Sequence, residues 1–182
     1  MSDGYNGNFK NDFDYATELG KKLLPILNSK LKRGYIVETE NLNDIVSKWL
    51  DIYSGIDGLL MDEKDVSGIA LRIQEHSSKN WETFTIRYER STGSETEYIK
   101  RKRQIYNKQC FYPHYTCQAY FSNEGELLGG AFCLTKDLYD VLLKNEPFTY
   151  NKTNNIYLER NNSDNNIFIV VPFKQLNRKL IF

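Results

Sequence analysis

The feature that most constrains this chain is a pair of short apolar runs, Gly55-Ile56-Asp57-Gly58-Leu59-Leu60 and Gly68-Ile69-Ala70-Leu71-Arg72-Ile73-Gln74, separated by the polar stretch Asp62-Glu63-Lys64-Asp65. Runs this brief, bounded by glycine and a charged turn, read as two buried strands. Period-two alternation puts Arg72 and Gln74 on one face of the second strand. Asp57 places a carboxylate at the start of the first. One reading makes these residues a chemical site. The other makes Asp57 a turn cap with Arg72 paired to it across the strands.

The flanking sequence predicts an α+β arrangement, a mixed sheet with helices packed on it. Residues 12–31 carry helical spacing through Phe13, Ala16, Leu19, Leu23, Ile26 and Leu27, with a kink or a second helix expected at Pro25 and an end at Arg33-Gly34. Asn41 is expected to open another helix with Leu42, Ile45, Val46, Trp49 and Leu50 as its apolar stripe. Residues 81–89 alternate as a third, half-buried strand, so three successive strands are expected to form an antiparallel meander. Ser94-Glu95-Thr96-Glu97 matches a capping box, and the helix it opens is expected to reach Lys108 with Tyr98, Ile99, Ile105 and Tyr106 inward. Residues 115–122 and 127–134 form a hairpin around Asn123-Glu124-Gly125-Glu126, with Gly129-Gly130 marking a bulge or a close backbone approach. Thr135 is expected to cap a short helix. Two asparagine-punctuated strands at 156–160 and 167–172 then make a C-terminal β-hairpin.

At 182 residues and 40% hydrophobic, the chain supports one real core. The expected organisation is a flexible leader at 1–11 and a single domain at 12–182, with its central part at about 40–145 and a β tail at 150–182. Formal net charge is zero, so any nucleic-acid-binding surface must be local. Three cysteines make no disulfide framework and point to a reducing cytoplasm. No apolar run approaches the roughly 20 residues of a membrane helix, so no membrane association is expected.

Two further clusters invite a functional reading. Lys100-Arg101-Lys102-Arg103, with Arg87, Arg90 and Lys108 nearby, gives a basic helix face that can track phosphates. Tyr98, Tyr106 and Tyr112 supply rings on which bases can stack. A solvated helix face is the plainer account. Cys110, His114, Cys117 and Cys133 carry zinc-ligand chemistry, although Cys117 and Cys133 lie among apolar residues as buried free thiols do. His76 and His114 have no nucleophile at a recognisable spacing, and no glycine-rich phosphate loop is present.

Gly-Ile-Asp-x-Leu-Leu followed by Ala-Leu-Arg-Ile-Gln resembles the PD-(D/E)XK nuclease superfamily over about residues 40–135. That resemblance implies a mixed sheet flanked by helices, with Asp57 as the first Mg²⁺-binding acid and Gln74 in the place of the lysine that activates water. Arg72 departs from the pattern, because it occupies the second acid's place and a guanidinium repels a divalent cation. Only Asp57, a backbone carbonyl and Glu38, Glu40 or Glu75 remain as ligands. A Mg²⁺-dependent endonuclease with an altered centre at Asp57, Gln74 and Glu75 is therefore one expectation. A catalytically degenerate scaffold without a metal is the other.

A longer phrase narrows the resemblance. It joins the two strands to Trp81-x-Thr-Phe-Thr-Ile-Arg87, Tyr112-Pro-His-Tyr-Thr-x-Gln118-Ala-Tyr120 and Leu-Leu-Gly-Gly-Ala-Phe-x-Leu-Thr-Lys136. These segments are similar to anti-CRISPR proteins carried by phages and mobile elements of gut bacteria, which inhibit the type II RNA-guided DNA nuclease. The resemblance implies a cytoplasmic inhibitor that binds the type II CRISPR effector, double-stranded DNA, or both. Arg72, Arg87, Lys100, Arg101, Lys102, Arg103, Lys108 and Tyr112 are its candidate contacts.

Overall fold

The two runs form a hairpin inside a six-stranded mixed sheet, and a separate three-stranded sheet covers part of one face. The computed structural model describes residues 6–31, 33–39, 42–75, 82–107, 111–162 and 164–182, the side chains of 6–17, 44, 52 and 53 excepted. In chain order, α1 (Asn6–Lys30) precedes β1 (Tyr35–Glu38), α2 (Asp44–Trp49), a π-helical turn (Leu50–Ser54), β2 (Gly58–Met61) and β3 (Val66–Glu75). Then come β4 (Thr83–Glu89), α3 (Glu97–Tyr106), β5 (Tyr115–Phe121), β6 (Leu127–Leu134) and α4 (Thr135–Lys144). The chain closes with β7 (Tyr157–Arg160), β8 (Ile167–Pro172) and β9 (Lys179–Ile181).

The large sheet runs β1-β2-β3-β5-β6-β9, with β3 and β5 parallel and every other pair antiparallel. The small sheet runs β4-β8-β7. The expected three-strand meander does not form. β2 and β3 pair as expected, but β4 leaves for the small sheet and β5 takes the place beside β3 in a seven-residue parallel ladder. α1 lies on one face of β3 and β4 meets the other, so the parallel ladder is largely sheltered, as such ladders usually are. The C-terminal strands pair with each other and, through β8, with β4.

α1 packs on one face through Leu19, Leu23 and Leu27, each at most 2% exposed, against Ile36, Ile69, Cys117 and Phe121. It runs unbroken from Asn6 to Lys30 with Pro25 inside it, so the expected second helix is absent and residues 6–11 of the expected leader are helical. Leu23 and Leu27 flank Pro25 and anchor both sides of the lost hydrogen bond to the sheet. α1 also closes the sheet's outer edge, where Asn28 Oδ1 accepts the Ile36 N–H (2.7 Å) and its Nδ2 donates to the Ile36 carbonyl (3.4 Å). A free edge is a pairing hazard that this side chain blunts.

The opposite face packs against α3, α4 and the small sheet through Phe84, Ile86, Tyr98, Leu138, Tyr139 and Ile169. Gly130 is a close approach as expected, since a Cβ there would meet the Gln118 carbonyl and the Phe182 ring. The bulge is present too, as a register shift opposite Tyr120 and Phe121, with Gly129 at φ 152°.

Three helix starts are corrected. α2 is capped by Asn43, whose side chain accepts the Ile45 N–H (3.0 Å), and Asn41 lies outside the described residues. Its expected inward stripe faces out, with Ile45 79% and Trp49 44% exposed. α3 is capped by Thr96 rather than Ser94, which makes Glu97 its first residue and frees that carboxylate from a capping box. Leu134 occupies the cap position of α4, and the Thr135 hydroxyl meets Thr116 instead (2.9 Å).

Candidate functional site

Alternation along β3 and β5 creates a polar seam beneath β4. Arg72 and Gln74 stand beside Gln118 and Tyr120 in register, on the face away from α1. They meet the edge of β4 that β8 does not use. At Thr85, the N–H donates to Gln118 Oε1 (3.3 Å) and the carbonyl accepts Arg72 Nη1 (2.5 Å). Gln118 Nε2 donates to Gln74 Oε1 (3.1 Å), and Tyr120 donates its hydroxyl proton to the Thr83 carbonyl (2.8 Å). Side chains of one sheet thus do for β4 what a neighbouring strand would do. An unmet buried backbone group would cost roughly 1–3 kcal/mol.

Beside this seam opens a cleft of about 660 Å³, with Asp57, Arg72, Glu97 and Arg101 in its walls. Asp57 precedes β2 rather than lying on it. Its backbone N–H donates to the Ile69 carbonyl (2.8 Å) and its carboxylate accepts the Leu71 N–H (2.7 Å). Burial raises its pKa from 3.8 to about 6; the Leu71 bond opposes the shift, and nearby Asp51 and Glu97 add to it.

The cross-strand pair of Asp57 and Arg72 is not formed. Arg72 turns to Glu97 (3.3 Å) and stacks over the Phe168 ring of β8 (5.4 Å). Arg87 stacks over the same ring (5.6 Å), so Phe168 orients two guanidinium groups. The Nε atoms of Arg87 and Arg90 are buried and have no acceptor. Burial lowers the Arg87 pKa, with the Arg72 and Arg90 charges adding to the effect. Six cationic and four acidic side chains line the cleft, so its walls carry a small excess of positive charge.

The basic run on α3 does not make one exposed face. Arg101 is 5% exposed and donates to the Ser54 carbonyl (2.6 Å), the Gly55 carbonyl (3.3 Å) and Gln104 Oε1 (2.8 Å). It was expected to point outward. Instead it pins the π-helical turn to α3. Lys102 pairs with Glu146 (2.9 Å) and Arg103 with Glu95 (2.5 Å), while Lys100 lines the cleft. Ile99, expected inward, is 52% exposed. Tyr112 lies against His114 (5.4 Å) and is not part of the cleft lining; Lys108 lies outside the described residues.

Among the described residues no three of His, Cys, Asp and Glu stand close enough to share a metal. Glu75 alternates away from Gln74, Glu38 reaches toward Gly20 of α1, and Glu40 lies outside the described residues. The zinc grouping also disperses. Cys117 is buried on the α1 side and Cys133 on the other, with Cys110 outside the described residues.

Asp57 and Arg72 on one hand and Arg87 and Lys100 on the other, read from the sequence as separate clusters, line one cleft, with Gln74 in the adjoining seam; Thr85, Glu97 and Phe168 were not foreseen as their partners. No helix among the described residues is long and apolar enough to cross a membrane. No protein-family model, curated protein or solved structure matches this chain.

Proposed function

We propose that this chain is a non-catalytic inhibitor of the anti-CRISPR type, which binds a type II RNA-guided DNA nuclease, DNA, or both, and blocks cleavage. The observation that carries the reading is the fixing of Arg72. At the position that the resemblance gives to the second metal acid stands a guanidinium held by Thr85, Glu97 and Phe168, which supports the reading. A fixed cation there disfavours a divalent metal and favours an anionic partner. The exposed apolar residues of α2 add a surface suited to a protein partner.

The test is a cleavage assay with a guide-loaded type II nuclease, linear target DNA and the purified chain in molar excess. Cleavage should be suppressed, and the chain alone should leave plasmid intact in Mg²⁺ or Mn²⁺. Unaltered cleavage by the effector overturns the inhibitor reading. Metal-dependent nicking by the chain itself, abolished in Asp57→Ala, would instead establish the endonuclease alternative.

A further inference from the structure

We infer that Arg87 and Arg90 form a phosphate-binding site in the cleft, and that Glu97 is an internal carboxylate competing for it. The inference rests on reading the cleft as a binding surface, but not on nuclease inhibition.

Buried donors in folded chains almost always have acceptors, and a guanidinium Nε–H is a strong one. Here two such donors on neighbouring residues, Arg87 and Arg90, are buried without a partner and belong to the same cleft wall. An arginine offers Nε–H and one Nη–H as a fork matched to two oxygens of a phosphate. Phe168 already orients the Arg87 plane, so little side-chain freedom remains to be lost on binding.

The charges around the pair fit an oxyanion. Glu97 supplies a carboxylate at the inner end of the group, 3.3 Å from Arg72 Nη1 and 3.5 Å from the Arg87 backbone nitrogen. It offsets Arg72 and leaves the guanidinium groups of Arg87 and Arg90 without a carboxylate in hydrogen-bond contact. Asp164 faces Arg87 only at longer range. The excess of cations over acids in the walls suits a phosphate, which carries one to two negative charges near neutral pH. The cleft volume of about 660 Å³ is within the range of small-ligand sites, so a nucleotide, or one phosphate of a nucleic-acid backbone passing its mouth, can be accommodated.

Arginine Nε–H resonances read this directly. Purified full-length chain is titrated with inorganic phosphate, a nucleoside 5′-monophosphate and a short DNA duplex, each against sodium chloride of matched ionic strength. The Arg87 and Arg90 signals should shift saturably with at least one phosphate ligand and not with chloride. Saturation by the monophosphate alone assigns the site to a terminal phosphate; saturation by the duplex assigns it to the backbone. Arg90→Gln should weaken binding about tenfold, the effect of losing a charged hydrogen bond. Glu97→Gln should strengthen it several-fold, and this variant carries the test if an arginine variant fails to fold. Absence of a saturable shift, or weaker binding in Glu97→Gln, overturns the inference. Phosphate binding without nuclease inhibition leaves this site standing and removes only the inhibitor reading.

Discussion

The two faces of β3 and β5 are built from alternate residues of the same strands, yet they differ in kind. Toward α1 the strands present Ile69, Leu71, Ile73, Cys117, Ala119 and Phe121, an apolar layer. Toward β4 they present Arg72, Gln74, Gln118 and Tyr120, each hydrogen-bonded across the seam to Thr83 or Thr85 or to one another. The first face is held by burial, which is non-directional and tolerant of detail. The second depends on donors meeting acceptors at fixed positions, which contributes less energy and more specificity. The cleft opens beside the second face.

That contrast can be broken most directly from the α1 side. Leu23 is fully buried, so Leu23→Ala should cost roughly 2–5 kcal/mol by urea denaturation, as large-to-small changes in cores do. Phosphate binding by the folded fraction should survive it. A smaller effect is expected from Arg101→Met, which removes donors from Ser54, Gly55 and Gln104 beside the cleft. Its cost should be about 1–3 kcal/mol, and it should loosen residues 50–57 in hydrogen exchange while leaving α1 protected. Equal loosening of both faces would show that they do not respond separately.

The third change develops across a pH window. With its folded pKa raised from 3.8 to about 6, Asp57 keeps a proton in the folded chain that the unfolded chain has released between those values. Its contribution to stability is therefore present below about pH 4 and lost as pH rises through 6. Asp57→Asn cannot ionise and keeps an acceptor for Leu71. The variant should gain on the wild type between about pH 4 and 6 and hold a constant lead above that. A flat difference across the window would show that Asp57 is not held in its neutral form by burial.

Local pattern was legible in the sequence, and assembly was much less so. The β5–β6 hairpin, its turn and its glycine bulge followed from alternation and turn chemistry, because all the interacting residues are near in sequence. β4 read correctly as a strand, yet nothing in its alternation distinguishes pairing with β3 from pairing with β8. β1 has four residues and β9 three, too few for a periodic signal. At the site, Asp57 and Arg72 stood out as charges on apolar strands. Arg101 misled, because a run of four cations reads as an exposed face while one of them lies beneath the turn it holds. Glu97 read as a capping-box residue and Phe168 carried no signal, since the roles they take arise only when α3 and β8 meet β3.

The fixing of Arg72 bears on what position 72 can tolerate. Placing an acid at position 72 would set a second carboxylate against Glu97 and against the Thr85 carbonyl that accepts a hydrogen bond from Arg72. A two-acid centre would then need compensation from α3 and β4 together. Single substitutions at 72 toward an acid are therefore expected to destabilise the chain, since they remove the contacts to Thr85, Glu97 and Phe168 together.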